Sequence, residues 1–536
     1  MKNKIIDLIS ASIKLLGINP DSEIIIEIPA LPENGDFSSN IALKLAKKIG
    51  ENPLSLAEKI AKGISDSDIE KTEVKTPGFI NFFVSKNYLK ENISKILKEK
   101  EKYGSSEIGK GKSINIEFVS ANPTGILHLG NARGGSYGDS LARILKFTGH
   151  KVIKEYYVND AGNQITNLGL SIQARYFELC SIPSQMPEDG YFGQEIKEIA
   201  SLIYNQNGDS YIKKDIEFYK DLGTKEFLNK IIAILRRFRI EYDIFTSEKS
   251  IYEKYPLENV LDTLTKNGAT YEEDGAIWFK SSKYFDDKDR VLVKSDGNYT
   301  YMVPDIPYHM DKLDRGFTKV IDILGTDHHG YVSRLKGAIK AMGCDETKID
   351  IKLLQLVKLV ANGEEIKMSK RTGNAVTLEE LIDEVGIDAA RYYFVMRSLD
   401  TQMDFDLELA KKKSSENPVY YVSYAYARIC TILKSYKEPE ASSNYETISE
   451  NEAYDLLGKL YNFNEVVNEA AIKELPHLIT NYAYELAAAF HTYYSKYRII
   501  SDNKQDTLDR INIIKAVKIT LENALNLIGV IPPEKM

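Results

Sequence analysis

One stretch of the chain constrains its fold more than any other, because it reads in succession as a strand, a tight turn and a helix. Residues 114–118 alternate between apolar and polar side chains, which is the period of a strand with one buried face. A turn follows at 122–125, and a helical pattern begins at about residue 128. A second strand over 152–158 then completes a strand–helix–strand unit. The sequence therefore predicts an α/β fold built on a doubly wound parallel sheet.

The predicted helix carries four glycines near its start, at positions 130, 134, 135 and 138. Each glycine costs about 1 kcal/mol relative to alanine inside a helix. Glycines in such a place usually permit the close approach of a flat ligand or of another backbone. A helix N-terminus that follows a strand also presents unpaired N–H groups and a positive dipole end. We therefore expect an anionic ligand at this end of the sheet, where such folds bind their ligands.

Composition limits the class of protein without fixing its function. A chain of 536 residues with 43% hydrophobic and 28% charged residues is expected to be soluble and to form several domains. No apolar run approaches the roughly 18 residues of a membrane helix, and the N-terminus lacks the pattern of a signal peptide. The three cysteines lie far apart, which argues against structural zinc and disulfides and favours a cytoplasmic protein. The net charge of −8 leaves RNA binding open, because the clustering of cations matters more than their total.

Composition shifts and turn signals divide the chain into three predicted units, which cover residues 1–108, 109–376 and 377–536. The first is α+β and ends in a polar, glycine-rich linker at 104–112. The second contains the parallel sheet, which is interrupted by a helical insertion at about 176–250 and is predicted to resume at 289–294. The third begins at Thr377 with a capping box to Glu380 and reads as a tyrosine-rich, all-α helical bundle.

Two short motifs connect the chain to a known group of enzymes. The string P-T-G-I-L-H-L-G-N at 123–131 resembles the His-x-Gly-His signature of class I aminoacyl-tRNA synthetases, and I-K-M-S-K at 366–370 resembles their Lys-Met-Ser-Lys signature. The longer strings E-F-V-S-A-N-P-T-G, from Glu117, and N-A-R-G-G-S-Y-G-D, from Asn131, resemble the arginyl-tRNA synthetase family. Asn131 replaces the usual second histidine of the first signature. Asparagine still donates a hydrogen bond but carries no charge.

The resemblance covers essentially the whole chain and implies its function. A member of this family activates L-arginine with ATP to arginyl-adenylate and transfers the arginyl group to the 3′ end of tRNA(Arg). The resemblance implies a Rossmann-type catalytic domain, an N-terminal domain that contacts the corner of the tRNA, and a helical anticodon-binding domain. It also implies ATP with Mg²⁺ as a substrate complex, no resident metal, and a chain that acts as a monomer.

The same resemblance assigns roles to particular residues. The catalytic residues would be His128, Asn131, Lys367 and Lys370. The ATP contacts would come from His128, Gly130, Asn131, Gly134, Met368, Ser369 and Lys370. The arginine contacts would come from Glu117, Ser120, Asn122, Tyr301, Asp305 and Asp327. Two carboxylates suit a guanidinium, because its planar fork of donors is best bound in bidentate contacts. Asp327-His328-His329 does not predict a metal site, because adjacent side chains on an extended segment point in opposite directions.

Two other functions remain to be weighed. A non-enzymatic relative could keep the fold and bind RNA, but it would be expected to lose the second signature or the specificity carboxylates. Both are present. A class I enzyme for another amino acid is the closer alternative. Cysteine specificity requires zinc ligands that the chain lacks, and glutamate specificity requires basic residues where Glu117 and Asp305 stand. The sequence therefore favours an arginine–tRNA ligase.

Overall fold

The computed structural model describes residues 1–19, 22–29, 31–300, 302–326, 329–366, 376–437 and 443–536. Its N-terminal region is α+β, as predicted. Its elements are α1 (Lys2–Leu15), β1 (Ile26–Glu27), β2 (Phe37–Ser39), α2 (Ile41–Ile49), α3 (Pro53–Lys62), β3 (Ile69–Lys75), β4 (Phe79–Val84) and α4 (Lys86–Glu99). The four strands form an antiparallel sheet in the order β1-β2-β4-β3. Asn52 caps α3 by accepting hydrogen bonds from two backbone N–H groups, which confirms that helix start.

The middle of the chain carries the central sheet and two smaller ones. Its elements are β5 (Ser113–Glu117), α5 (Leu129–Phe147), β6 (Lys151–Val158), α6 (Gly162–Leu179), α7 (Gln194–Asn207), α8 (Ile216–Arg237), β7 (Ile244–Ser247), α9 (Glu248–Lys254), α10 (Leu257–Lys266), β8 (Thr270–Glu273), β9 (Ala276–Phe279), β10 (Arg290–Val293), α11 (Met302–Asp314), β11 (Lys319–Gly325), α12 (His329–Ala341), β12 (Ile349–Leu354), β13 (Val357–Ala361) and β14 (Glu364–Glu365).

The central sheet has five parallel strands in the order β12-β11-β5-β6-β7. The chain winds outward from β5 through β6 to β7 on one side, and through β11 to β12 on the other. This arrangement confirms the predicted doubly wound α/β fold. The order reverses between β5 and β11, and ligands of such sheets bind in the crevice at this switch point, beyond the carboxyl ends of the strands.

Two sequence predictions about this sheet are wrong. The segment 289–294 does not return to it, because β10 instead joins β9 and β8 in a separate antiparallel sheet. The predicted insertion at 176–250 is helical over most of its length, but its last residues contain β7, the edge strand of the central sheet. A short alternating segment shows that a strand forms. It does not show which sheet the strand joins, because that depends on distant partners.

The C-terminal region is mostly helical, as predicted. Its elements are α13 (Leu378–Val385), α14 (Ile387–Val395), β15 (Met403–Asp406), α15 (Leu407–Lys411), α16 (Pro418–Ser435), α17 (Asn451–Lys473), α18 (His477–Lys496) and α19 (Lys504–Leu527). The predicted capping box between Thr377 and Glu380 is present at the start of α13. The strand β15 departs from the all-α prediction. It pairs in parallel with β13, and its alternating Met403 and Phe405 side chains are buried.

The linker at 104–112 is held against the C-terminal helices at its start. Asn464 on α17 donates to the carbonyls of Gly104 and Ser105, at 3.2 and 2.9 Å. Asn523 on α19 donates to the carbonyls of Lys100 and Tyr103, at 2.8 and 3.0 Å. These bonds fix the end of the N-terminal region to the helical bundle.

Two fully buried arginines fix the central region to the C-terminal region. Arg133 on α5 donates to the carbonyls of Gln355, Ser398 and Thr401, at 2.9, 2.7 and 2.8 Å. Arg391 on α14 pairs with Asp139 of α5 at 2.7 Å. It also donates to the carbonyls that end α8 and α19. Helix α5, which carries the first signature, is therefore attached to the C-terminal region at two points.

Candidate active site

A cavity of about 1150 Å³ opens at the switch point of the central sheet. The loop 119–122, the first turns of α5, the end of β11 and the β12–β13 connection line it. Ile366, the last described residue before the second signature, also lies on its wall. Of the predicted site residues, this cavity brings together Ser120, Asn122, His128, Gly130, Asn131 and Gly134.

The loop between β5 and α5 is held in a strained shape beside the cavity. Val119 has φ +69° and Ser120 has φ +35°. Positive φ is costly for a β-branched residue and is typical of functional sites. Three contacts hold the loop: the Tyr156 hydroxyl donates to the Ala121 carbonyl, the Tyr242 hydroxyl donates to the Phe118 carbonyl, and the Tyr157 N–H donates to the Ser120 Oγ. Sequence analysis did not identify this turn as strained.

The first signature forms the N-terminal cap of α5. The His128 Nδ1 accepts a hydrogen bond from the Gly130 N–H at 3.1 Å, and the Asn131 Oδ1 accepts one from the His128 N–H at 3.0 Å. These reciprocal bonds make a capping box. Because the His128 Nδ1 is an acceptor, the neutral ring carries its proton on Nε2. Partial removal from water lowers the pKa of His128, which favours this neutral form.

The four glycines of α5 serve two purposes. Gly130 and Gly134 line the cavity, as expected for a close ligand. Gly135 and Gly138 instead allow the helix to pack closely on its own sheet. A Cβ at Gly138 would lie 2.4 Å from the ring of Phe118, and a Cβ at Gly135 would lie 2.8 Å from Ile240. Of the two explanations that the sequence left open, close packing within the protein therefore applies to these two positions, which belong to the core.

The two predicted specificity carboxylates lie on the same face of the central sheet. Glu117 is the last residue of β5 and is 7% exposed. Its side chain meets Lys312 of α11, the helix whose first turn carries Asp305. The Tyr331 hydroxyl donates to Asp305 at 2.5 Å. Burial and then the charges of Asp305, Asp322 and Glu117 raise the pKa of Tyr331. The two carboxylates are therefore near the same phenol.

A third carboxylate, Glu248, faces this region from the start of α9. It is 9% exposed and accepts a hydrogen bond from the Tyr252 hydroxyl. Burial is the main cause that raises the pKa of Glu248, and Asp305 and Asp160 add to it. Burial also raises the pKa of Tyr157, whose surroundings include Glu248, Asp305 and Glu117. The carboxylates thus surround a small polar region next to the cavity.

Ser120 and Asn122 are both engaged within the protein. The Ser120 Oγ accepts the Tyr157 N–H at 3.0 Å, which leaves its own proton to donate. The Asn122 Nδ2 donates to the Gln164 Oε1 at 2.7 Å.

Six predicted site residues lie outside the described part of the chain, namely Tyr301, Asp327, Lys367, Met368, Ser369 and Lys370.

The sheet-facing side of α11 carries functional residues that were not predicted from the sequence. Tyr308, His309, Lys312 and Arg315 follow Asp305 at helical spacing, and all four contact carboxylates of the central sheet. The spacing of these polar residues by three and four positions was a usable signal. It was overlooked because charged residues at helical spacing usually form a solvent-exposed face.

Every helix among the residues that the structure describes is too short or too polar to span a lipid bilayer. The same residues contain no group of three or more His, Cys, Asp or Glu side chains arranged to hold a metal ion.

Three family models match the chain in sequence. They are the arginyl tRNA synthetase N terminal domain over residues 3–84, the class I (R) tRNA synthetase catalytic domain over 92–404, and the DALR anticodon binding domain over 422–536. The arginine–tRNA ligase 1 of Halalkalibacterium halodurans is 47% identical, and the arginine–tRNA ligase of Bacillus subtilis is 46% identical. Each alignment covers 100% of this chain and 99% of the relative.

The fold also matches that of a solved structure. The arginyl-tRNA synthetase of Thermus thermophilus superposes with a TM-score of 0.79 over 100% of both chains, at 19% sequence identity. At that identity the likeness concerns the fold alone, whereas the full-length relatives and the catalytic model establish the family. The chain belongs to the arginyl-tRNA synthetase family.

Proposed function

We propose that the cavity at the switch point is where this arginine–tRNA ligase joins arginine to ATP, and that Glu117 and Asp305 select the amino acid. The observation that carries this proposal is the arrangement of the cavity. The capped N-terminus of α5 lies in its wall, and both carboxylates lie on one face of the sheet beside it.

The N-terminus of α5 is suited to the triphosphate of ATP, which enters as its Mg²⁺ complex. The His128 Nε2–H and the Asn131 amide N–H₂ remain to donate hydrogen bonds, because the cap uses only Nδ1 and Oδ1. The dipole of the 19-residue helix also favours negative charge at this end. Gly130 leaves room for the nucleotide against the backbone.

Arginine is proposed to bind with its guanidinium toward Glu117 and Asp305 and with its carboxylate toward the α-phosphate. The carboxylate attacks the α-phosphate, pyrophosphate leaves, and the 3′ end of tRNA then takes the arginyl group from the adenylate. Chemistry of this kind requires mainly positioning and charge stabilisation from the protein. Lys367 and Lys370 of the second signature would stabilise the departing pyrophosphate.

Asp305→Asn tests the arginine site. The loss of a hydrogen bond between two charged groups is expected to raise the KM for arginine roughly 10- to 100-fold. The KM for ATP should change little, because the N-terminus of α5 holds the nucleotide. ATP–pyrophosphate exchange in the presence of tRNA, with arginine and ATP varied in turn, measures both constants.

Asp314→Asn is the matched control, since Asp314 ends the same helix and accepts a hydrogen bond from Tyr255. It should leave the KM for arginine unchanged. Citrulline, which is neutral and similar in shape, should not be activated by the wild type, because its ureido group brings no positive charge to the carboxylates of Glu117 and Asp305. Activation of citrulline at a rate near that of arginine would show that this account of specificity is wrong.

Lys370→Ala tests the second signature. It is expected to lower kcat for adenylate formation by roughly two orders of magnitude with little change in the KM for arginine, because the lysine meets charge that grows in the transition state. Lys294→Ala, in an exposed turn, is the control. Equal losses in kcat and in arginine affinity would assign Lys370 to substrate binding instead.

The helical domain offers an aromatic surface that supports a contact with unpaired tRNA bases. Tyr424 and Tyr484 are 43% and 40% exposed on α16 and α18. Tyr420 and His491 both stack with Tyr424, with centroid distances of 6.3 and 5.8 Å. Exposed stacked rings suit splayed bases, whereas the other tyrosines of this domain are buried or half-buried. We further propose that the chain acts as a cytoplasmic monomer, which light scattering of the pure protein would test.

A further inference from the structure

One wall of the cavity, at the β12–β13 connection (355–356), remains for the adenosine part of ATP. In the sheet order, β11 and β12 lie on one side of the switch point, and β5, whose last residue Glu117 is proposed to bind arginine, lies on the other. With the triphosphate at the start of α5, the adenosine is therefore expected to extend toward β12. Leu354, Leu356 and Val357 give that wall an apolar surface, and Leu356 is 69% exposed. An apolar wall suits a flat purine ring.

Arg133 holds this wall from α5, the helix whose start is proposed to receive the triphosphate. Its Nη1 donates to the carbonyl of Gln355, the first residue of the connection, at 2.9 Å. Its Nη2 donates to the carbonyls of Ser398 and Thr401, at 2.7 and 2.8 Å. The loop that contains these two residues is itself bound to the connection, because the Gln355 N–H donates to the Leu399 carbonyl at 3.1 Å.

The segments that Arg133 binds lead into both strands of a parallel pair. Gln355 precedes β13 and Thr401 precedes β15, and these two strands pair with each other. A further backbone bond joins the segments, from the Met403 N–H to the Leu356 carbonyl at 3.2 Å. Arg133 thus sets the position at which the chain leaves the central sheet, and with it the position of this wall.

Packing alone does not explain an arginine at position 133. The side chain is fully buried, its three acceptors are neutral carbonyls, and its Nε has no hydrogen-bond partner among the residues that the structure describes. Burial lowers the pKa of Arg133 to about 10 in spite of the charge of Asp400, so the side chain stays charged at neutral pH. A buried cation that contacts only neutral groups is costly. In return, the planar fork of the guanidinium fixes the directions of its acceptors.

We propose that Arg133 is a positioning residue for ATP, which fixes the β12–β13 connection relative to the start of α5 so that one nucleotide meets both walls at once. This inference rests on the proposed function, which places ATP in this cavity. Because its side chain is fully buried, Arg133 contacts no substrate atom. It acts through the backbone of Gln355.

Arg133→Met tests the inference with ligands that meet one wall or both. Without the guanidinium, the connection keeps its backbone bonds to the 399–403 loop but is no longer fixed relative to α5. ATP spans both walls, so its KM is expected to rise roughly tenfold, because the first contact no longer places the second. Adenosine meets the connection alone, so its inhibition constant against ATP should stay within about twofold.

The KM for arginine should also stay within about twofold in Arg133→Met, because the proposed arginine contacts lie on the other side of the switch point. ATP–pyrophosphate exchange in the presence of tRNA measures all three constants.

Two further variants calibrate the comparison. Arg143→Met is the matched control, since Arg143 lies on the same helix and donates to the carbonyls of Arg239 and Asn526, neither of which lines the cavity. It should leave the constants for ATP and adenosine unchanged. Leu356→Asp places a negative charge on the adenosine wall itself. It should therefore weaken ATP and adenosine together, each roughly tenfold.

Arg133→Lys keeps the charge but replaces the planar fork with a single ammonium group, which cannot hold three carbonyls in the same geometry. It should raise the KM for ATP by less than Arg133→Met does, about threefold, again without weakening adenosine. Arg133→Lys decides the question if Arg133→Met does not fold.

Equal weakening of ATP and adenosine in the Arg133 variants would show that this residue only supports the fold of the connection. An unchanged KM for ATP, or an equal rise in the KM for arginine, would also overturn the inference. If Leu356→Asp changes neither constant, adenosine does not lie on this wall and the proposed nucleotide site is wrong. If Leu356→Asp weakens both ligands but the Arg133 variants weaken neither, only the present inference fails.

Discussion

At the scale of single residues, Asn131 has a role that its place in the signature did not predict. The sequence suggested an uncharged hydrogen-bond donor to ATP in place of a histidine. In the structure its Oδ1 completes the cap of α5 by accepting the His128 N–H. The side-chain amide keeps two N–H donors for the cavity. One asparagine therefore stabilises the helix start and offers a neutral donor to the ligand.

Two substitutions at Asn131 should separate these roles. Asn131→Ala removes the cap and is expected to cost about 1 kcal/mol of stability, measured by urea unfolding. Asn131→Asp keeps the acceptor, and a negative charge near a helix N-terminus is favourable, so the free energy of unfolding should be unchanged or higher. The same charge would repel the triphosphate and lower kcat/KM for ATP by roughly tenfold or more. Full ATP activity in Asn131→Asp would show that this position does not face the phosphates.

At the scale of elements, α5 shows why a glycine pattern is ambiguous in sequence. All four glycines lie within nine residues, but two line the cavity and two pack on the sheet. Whether a glycine lines the cavity or packs in the core depends on its neighbours, here Phe118 and Ile240. Ile240 lies about 100 positions from these glycines in the chain. A local pattern records the absence of a side chain. It does not record what occupies the space.

The packing of α5 leads to a paired prediction. Gly138→Ala would place a Cβ 2.4 Å from the Phe118 ring, so we expect a loss of about 2–3 kcal/mol in spite of the better helix propensity of alanine. Gly134→Ala meets its nearest atom at 3.5 Å and should keep or slightly raise the melting temperature. Thermal unfolding of both variants checks the pair. An unchanged melting temperature in Gly138→Ala would mean that α5 shifts freely on the sheet.

Elements whose signals are local could be predicted from the sequence, and elements that depend on distant partners could not. The caps at Asn52 and Thr377 and the unit from β5 to β6 were correct, since each is encoded within a few dozen residues. The sheet membership of β10 and the pairing of β15 were missed, because backbone hydrogen bonds to remote strands decide them. The candidate site followed the same division. The signature motif predicted the loop between β5 and α5. The contact of Lys312 with Glu117 was not predicted, because it joins residues about 200 positions apart.

At the scale of the whole molecule, Arg391 joins three parts of the chain. Its guanidinium binds Asp139 of the signature helix, the Phe238 carbonyl at the end of α8 and the Ile528 carbonyl after α19. Each of these groups is in the protein interior, where an acceptor without a hydrogen bond destabilises the fold. The catalytic region and the end of the last helix are therefore joined through one arginine.

Arg391→Met is expected to destabilise the protein by about 3–5 kcal/mol, because it leaves a buried carboxylate and two carbonyls without this donor. Arg237→Met is the control and should cost less than about 1 kcal/mol, since Arg237 pairs with Asp383 at the surface.

Burial alone would raise the pKa of Asp139, but Arg391, Arg143 and Lys154 lower it to about 2, against 3.8 for the free side chain. This stabilisation is present above about pH 4 and is lost as the pH falls toward 2. Urea unfolding from pH 7 to pH 3 measures both effects, and the variant should lose less stability than the wild type as the pH falls below about 4, because its Asp139 pKa is lowered less.

The hydrogen bonds that tie the 100–106 segment to α17 and α19 also bear on how the enzyme would hold a large substrate. If the N-terminal domain contacts the corner of the tRNA, as the sequence resemblance implies, a flexible tether would let it search for that contact alone. The bonded segment instead keeps that domain at a set distance from the helical domain. Once one end of a tRNA is bound, its other end meets the second domain at a high effective concentration, and the two contacts reinforce each other. A chain cut within this segment would lose this gain in affinity even if both pieces folded. Each piece alone would then bind tRNA more weakly than the intact chain does.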